Sequence, residues 1–305
     1  MQVEAAAPSR TRYRLLLFAT AFLFSTGGAA IKGCTLSSWQ IASFRSAIAA
    51  LTLWVALPDA RRRWNIRTVL IGGSYAATLV LFVLATKLTT SANAVFLQST
   101  APLYILLLGP LVLRERVRRV DIAVMCGVAT GVALLLFGSE HAQATAPDPF
   151  HGNLLGLGSG LTWAITVTGL RWFGKSSENG TPASVVLIGN VLAFLACLPM
   201  ALAAPASHVS SADAAIVLYL GIFQIGLAYI ALTRSIRHVP ALEAATLLLL
   251  EPVFNPIWTW LLQGERPSLL ALVGGFCILG ATFGGTVWQA RQAPNSPVAA
   301  ERADA

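Results

Sequence analysis

The sequence predicts an all-α integral membrane protein, with ten transmembrane helices arranged as two inverted five-helix repeats. Three observations predict it. Of the 305 residues, 56% are hydrophobic and only 11% are charged, against about 25% charged in an ordinary soluble domain. The basic residues fall in short clusters between long apolar runs. A motif recurs at a shift of 150 residues. The mean hydropathy is +0.69, which excludes disorder, because disordered chains are polar and charge-rich. It also excludes a soluble fold, whose surface so few charges could not cover.

A spanning helix needs about 17–25 apolar residues. Ten stretches qualify, near 13–31, 38–57, 68–86, 91–113, 120–138, 152–173, 182–204, 213–233, 239–262 and 268–288. They are apolar on all faces, as at 134–137 and 247–250, and about twice the length of a barrel strand. The first has basic residues ahead of it and GlyGlyAlaAla at 27–30, like a secretory signal. Its apolar run exceeds the usual signal length, so it is expected to remain as a helix.

The loops set the orientation. With the N-terminus in the cytoplasm, 17 of the 21 Lys and Arg lie inside, and Lys32, Lys87 and Arg266 lie outside. That bias predicts both termini in the cytoplasm. The clustering also argues against nucleic acid as a partner, despite the formal charge of +8, because the basic residues form no continuous face. Residues 291–305 are polar and expected to form a disordered cytoplasmic tail. The four cysteines are far apart and form no metal-ligand pattern, so they are expected to be free, small packing residues. No catalytic set such as HExxH, GxSxG or a Walker loop occurs, so neither an enzyme nor a cofactor or metal site is expected.

The repeat is visible by shifting the chain. Pro102 meets Pro252, Glu115 meets Glu265, and Arg116 meets Arg266. The expected units are 1–145 and 146–290. Five is odd, so the second unit enters the membrane from the opposite side. Inverted repeats of this kind mark secondary transporters, with the substrate site near the midplane between the halves.

With those residues in place, the chain resembles EamA-type transporters of the drug/metabolite transporter superfamily. The two Pro…Glu-Arg units carry the likeness, each followed by a Gly-containing span, and so does LeuGluProValPheAsnProIleTrp at 250–258. The resemblance implies a multi-pass protein of the bacterial inner membrane. It implies export of small metabolites, such as amino acids or related amphiphilic compounds, driven by a proton or solute gradient. Import, or export of cationic drugs, is the alternative on the same fold; a membrane enzyme or sensor is a more distant one. One chain would hold a whole pore, as a monomer or homodimer.

The candidate pore residues follow from the cost of polarity at membrane depth. Glu251 lies near the middle of span nine, beside Pro252, and is read as a proton-coupling or substrate-amine group. Glu243, Leu247, Glu251 and Asn255 are spaced to form one helical stripe. Pro252 and Pro256 lack N–H donors and free two carbonyls there. Glu243 sits nearer the cytoplasm, where solvation is the simpler account. Span four supplies the counterparts Asn93 and Gln98, with Pro102 at the equivalent kink. Arg45, the basic residue inside span two, is read either as a carboxylate-binding or gate-pairing group, or as a snorkelling anchor or partner for Glu251. Trp163 and Tyr229 lie mid-span with polar handles, for packing or for stacking on substrate. The glycines at 152, 156 and 160, at 127 and 131, and at 280 and 284 are expected to let helices pack closely.

Overall fold

The structure, a computed structural model, describes residues 10–61, 64–108, 118–138, 143–173, 181–204, 209–235 and 238–292. Among them the regular secondary structure is helical. Each of the ten expected stretches is helical over most of its described residues: α1 (Arg10–Ser25) with α2 (Gly27–Gly33), α3 (Ser38–Ala56), α4 (Ile66–Leu88), α5 (Ser91–Gln98) with α6 (Ala101–Leu108), α7 (Arg119–Phe137), α8 (Pro149–Phe173), α9 (Pro182–Ala203), α10 (Ser211–Tyr219) with α11 (Ala228–Ser235), α12 (Ala241–Leu248) with α13 (Leu250–Gln263), and α14 (Leu269–Gln292). Eight of these stretches are both long and apolar enough to cross a membrane. The other two, α3 and α8, are 19 and 25 residues long but less apolar. Arg45, Gln40 and several serines lower α3; Gly, Ser and Thr lower α8.

Local chemistry sets the boundaries. Ser37 and Gln40 form a capping box at the start of α3, Asn65 and Thr68 do so for α4, and Ser210 and Asp213 for α10. Each box satisfies N–H groups that the first turn leaves unpaired. Thr90 caps α5, and Thr181 caps α9 ahead of Pro182. At the end of α13, Gly264 adopts φ 67, a left-handed conformation that closes a helix without a Cβ penalty.

Four stretches are interrupted inside, the first of them at Thr26 between α1 and α2. Span four breaks at Ser99–Thr100, ahead of Pro102, and span nine at Leu249, ahead of Pro252. In each a proline denies an N–H to the carbonyl four residues earlier, so the ladder fails beside it. The stripe expected from Glu243 to Asn255 is therefore divided between α12 and α13. The helix runs on through Pro256. Between α10 and α11 the chain forms a π-helical segment, Leu220–Leu227.

The helices pack α4 against α8 and α9, α3 against α9 and the π segment, and α7 against α14. The last contact is tight: a Cβ added at Gly131 would lie 2.5 Å from the Gly274 carbonyl oxygen. Glycines 152, 156 and 160 likewise face the α4–α5 region. Gly280 and Gly284 do not fit that expectation, since among the described residues no neighbouring atom lies within 4 Å of a Cβ at either. Large apolar side chains such as Phe137, Leu202 and Phe276 point outward, the surface that lipid covers. The four cysteines are free. Helix α14 reaches Gln292, two residues into the expected tail; 293–305 lie outside the described residues.

Candidate functional site

A cavity of about 260 Å³ lies where the two proline-broken stretches meet. One wall comes from Val95, Gln98, Ser99, Ala101 and Pro102; the facing one from Ala245, Leu248, Leu249, Glu251 and Pro252. Adding 150 to each position of the first set gives the second. The same five register positions of each stretch therefore face one space. The remaining lining comes from α1, α3, α4, α8, α14 and the α10–α11 stretch, with Arg45, Tyr75, Trp163, Gln224 and Tyr229 among the polar-capable side chains.

Glu251, Arg45, Gln98, Trp163 and Tyr229 thus come together, with Pro102 and Pro252 beside them. Glu251 is partly buried and has no hydrogen-bond or ion-pair partner among the described residues. Arg45 does not snorkel. It is 1% exposed, and its Nη2 donates to the Leu79 carbonyl at 3.0 Å inside the bundle. The two charges share the cavity without forming an ion pair. Gln98 Nε2 donates to Ser159 Oγ at 2.8 Å, which fixes its amide. Tyr75 stands edge-on to Tyr229 at 5.6 Å and tilted to Trp163 at 6.2 Å. Together they give the cavity an aromatic side.

Other expected residues lie elsewhere. Glu243 pairs with Arg14 at 2.5 Å, with the side chains 31% and 50% exposed, so it sits in a partly solvated ion pair at one end of the bundle. Asn93 is buried, and its amide reaches Asn153 Oδ1 at 3.3 Å. Asn255 is fully buried and accepts from Ser91 Oγ at 2.6 Å. The motif residues Glu115 and Arg116 lie outside the described residues. Arg266 is exposed. Glu265 is not: Gly264 turns it inward, where it forms an ion pair with Lys32 at 3.1 Å, both side chains under 5% exposed. The backbone N–H of Ser91 donates to the other carboxylate oxygen at 2.9 Å. Lys32 also donates to the carbonyls of Thr89 and Thr145.

Sequence reasoning missed Gln224, Tyr75 and this Lys32–Glu265 pair. A signal existed for Gln224, the one amide in LeuGlyIlePheGlnIleGlyLeu, because a polar residue at membrane depth is a functional candidate. The π segment that carries it had none, although such segments recur at functional sites. Among the described residues, no cluster of three His, Cys, Asp or Glu is placed to hold a metal. Chemically the site offers a carboxyl, a guanidinium, amides and aromatic faces. These are groups for binding a small polar-apolar molecule, with no activated nucleophile among them.

Comparison with known proteins agrees with that chemistry. The sequence model of the EamA-like transporter family matches twice, over residues 11–137 and 150–286. The pseudopaline exporter CntI of Pseudomonas aeruginosa is 25% identical over 273 residues, covering 88% of this chain and 93% of its own. A transporter of Archaeoglobus fulgidus is 24% identical with the same coverages. A solved crystal structure, 21% identical, superposes with a TM-score of 0.60 over 93% of this chain and 100% of its own. At that identity the likeness establishes the fold.

Proposed function

The chain belongs to the EamA-like transporter family, and on that premise we propose that it is a secondary transporter of a bacterial inner membrane. It exports small metabolites, such as amino acids or related amphiphilic compounds, by gradient-driven alternating access. One observation carries the reading: the cavity is walled by the same five register positions of two broken stretches, 150 residues apart. Broken helices at corresponding positions of two halves are the usual makings of a transport site.

In this reading α3 and α8 also span, giving ten spans in two inverted units, 1–145 and 146–290. The double match of one family model supports the two units, and the distribution of Lys and Arg supports cytoplasmic termini. Export rather than import is favoured by the similarity to a pseudopaline exporter. Glu251 is the coupling group, since an unpaired acid facing a cavity at membrane depth can exchange its proton with bound solute. A single chain supplies the pore, so the working unit is a monomer or a homodimer.

The test is untargeted profiling of the medium from cells overproducing the protein, the Glu251→Gln variant or empty vector. Wild type is expected to enrich one chemical class of metabolite, and the variant to lose that enrichment while still inserting. Equal enrichment by both removes Glu251 from the mechanism. Enrichment by neither, with insertion confirmed, removes export and leaves uptake to be measured directly.

A further inference from the structure

We propose that Arg45 is an anion subsite of the cavity and that the transported solute carries a carboxylate to fill it. The proposal rests on the transport reading only in taking the occupant to be a small solute. Arg45 stands among the largest fully buried side chains of the protein. A guanidinium keeps its proton in proteins, so a full positive charge sits at membrane depth. Removing such a charge from water is costly unless it is paired. Yet among the described residues its Nε has no hydrogen-bond partner, and its Nη2 reaches a neutral carbonyl.

Among the described residues, four acids are engaged elsewhere. Glu243 is held by Arg14 and Glu265 by Lys32. Asp213 accepts from Thr35 and Ser210, and Asp121 from the backbone of Arg118. Glu251 faces the same cavity but makes no ion pair with Arg45 among the described residues. One base and one acid therefore face a shared space, each without an ionic partner among the described residues.

The surroundings hold the guanidinium in place. The π segment lies directly against this turn of α3: a Cβ at Gly221 would sit 2.9 Å from the Arg45 carbonyl oxygen. The same segment carries Gln224 into the cavity, where its Oε1 is also unpartnered. Tyr75 and Tyr229 complete that side.

A carboxylate answers this arrangement. The guanidinium fork binds it through Nε in charge-assisted hydrogen bonds, and an amine on the same molecule meets Glu251. A neutral or singly cationic solute leaves the buried guanidinium unpaired, so it is rejected. The cavity, about 260 Å³, falls below the ~300–1,000 Å³ of sites for drug-sized ligands, which favours a small solute.

The experiment uses the full chain purified in detergent and matched trios built on alanine, leucine and phenylalanine. Each trio holds the free amino acid, its amide without a carboxylate, and the parent carboxylic acid without an amine. Binding is read by calorimetry and by thermal shift. In wild type at least one free amino acid is expected to bind tenfold or more tightly than its amide. Arg45→Gln should erase that preference, and Arg45→Lys, which keeps the charge but loses the fork, should retain part of it. Amides binding as well as acids overturn the subsite, as does an undiminished preference in Arg45→Gln. Should that variant fail to fold, the wild-type comparison and Arg45→Lys still decide, and no binding by any carboxylate counts against the subsite. Flux from proteoliposomes is measured separately: binding without flux sinks the transport reading and leaves the subsite standing.

Discussion

Two glutamates show how burial decides what an ion pair contributes. The Arg14–Glu243 pair has its side chains 50% and 31% exposed. Water screens it, and exposed pairs contribute about 0–1 kcal/mol. Glu243→Gln is therefore expected to leave thermal stability almost unchanged in detergent. The Lys32–Glu265 pair has side chains 4% and 2% exposed. Removing one partner there strands the other charge away from water, at a cost of about 3–5 kcal/mol. Glu265→Gln should lower the unfolding midpoint sharply, and the double change Lys32→Met with Glu265→Gln should restore most of the loss. If the double variant is no better than the single one, the charge pairing is not what matters there. Neither pairing was legible in the sequence. Lys32 and Glu265 are 233 positions apart, and the charge count placed one in an outer loop and the other in a repeat motif. Glu265 follows the left-handed turn at Gly264, and a neighbouring glycine alone does not reveal which way a carboxylate will point.

At the scale of helices, the sequence carried most of the information, because long apolar runs are set by bilayer thickness and not by tertiary contacts. The prolines also announced the breaks near Ser99 and Leu249, but not that the break would put Glu243 and Glu251 on separate helices. The π segment was hidden for a physical reason. LeuGlyIlePheGlnIleGlyLeu has no local signal that separates an i→i+5 ladder from an α-helix. The close approach of Gly221 to Ile48 and of Gly226 to Thr52 on α3 is a tertiary fact. The break at Leu249 gives a prediction of its own. Pro252→Ala restores an N–H that can bond the Leu248 carbonyl and so lets the helix run through the break. The variant should be at least as stable as wild type while its transport rate falls several-fold, since the break places the cavity wall. Flux per folded molecule in proteoliposomes measures this. A rate equal to wild type in a stable variant means that the break is incidental to the cycle.

Among the described residues, the molecule is fastened unequally at its two ends. At one, Arg14 and Glu243 meet in a partly solvated pair. At the other, Glu265 joins α2 through Lys32 and the start of α5 through Ser91, and Lys32 reaches the carbonyls of Thr89 and Thr145. Asn255 adds a further link to Ser91. This cluster ties segments of both family-matched stretches at the end that the charge distribution assigns to the outside. In the proposed alternating-access cycle that end must open in turn, so the cluster should bias the resting protein toward closure there. About 1.4 kcal/mol of bias corresponds to a tenfold change in population. The double change Lys32→Met with Glu265→Gln removes the ionic link without leaving a stranded charge. In that background a cysteine placed at Ser91, with the native cysteines replaced, should react several-fold faster with a membrane-impermeant maleimide added from the outer side. Labelling from the inner side, followed at Leu248→Cys, should slow or stay level, because one population grows at the other's expense. Faster labelling at both ends would instead report general loosening, and unchanged labelling at Ser91 would mean that the buried pair holds the fold together without governing which way the cavity opens.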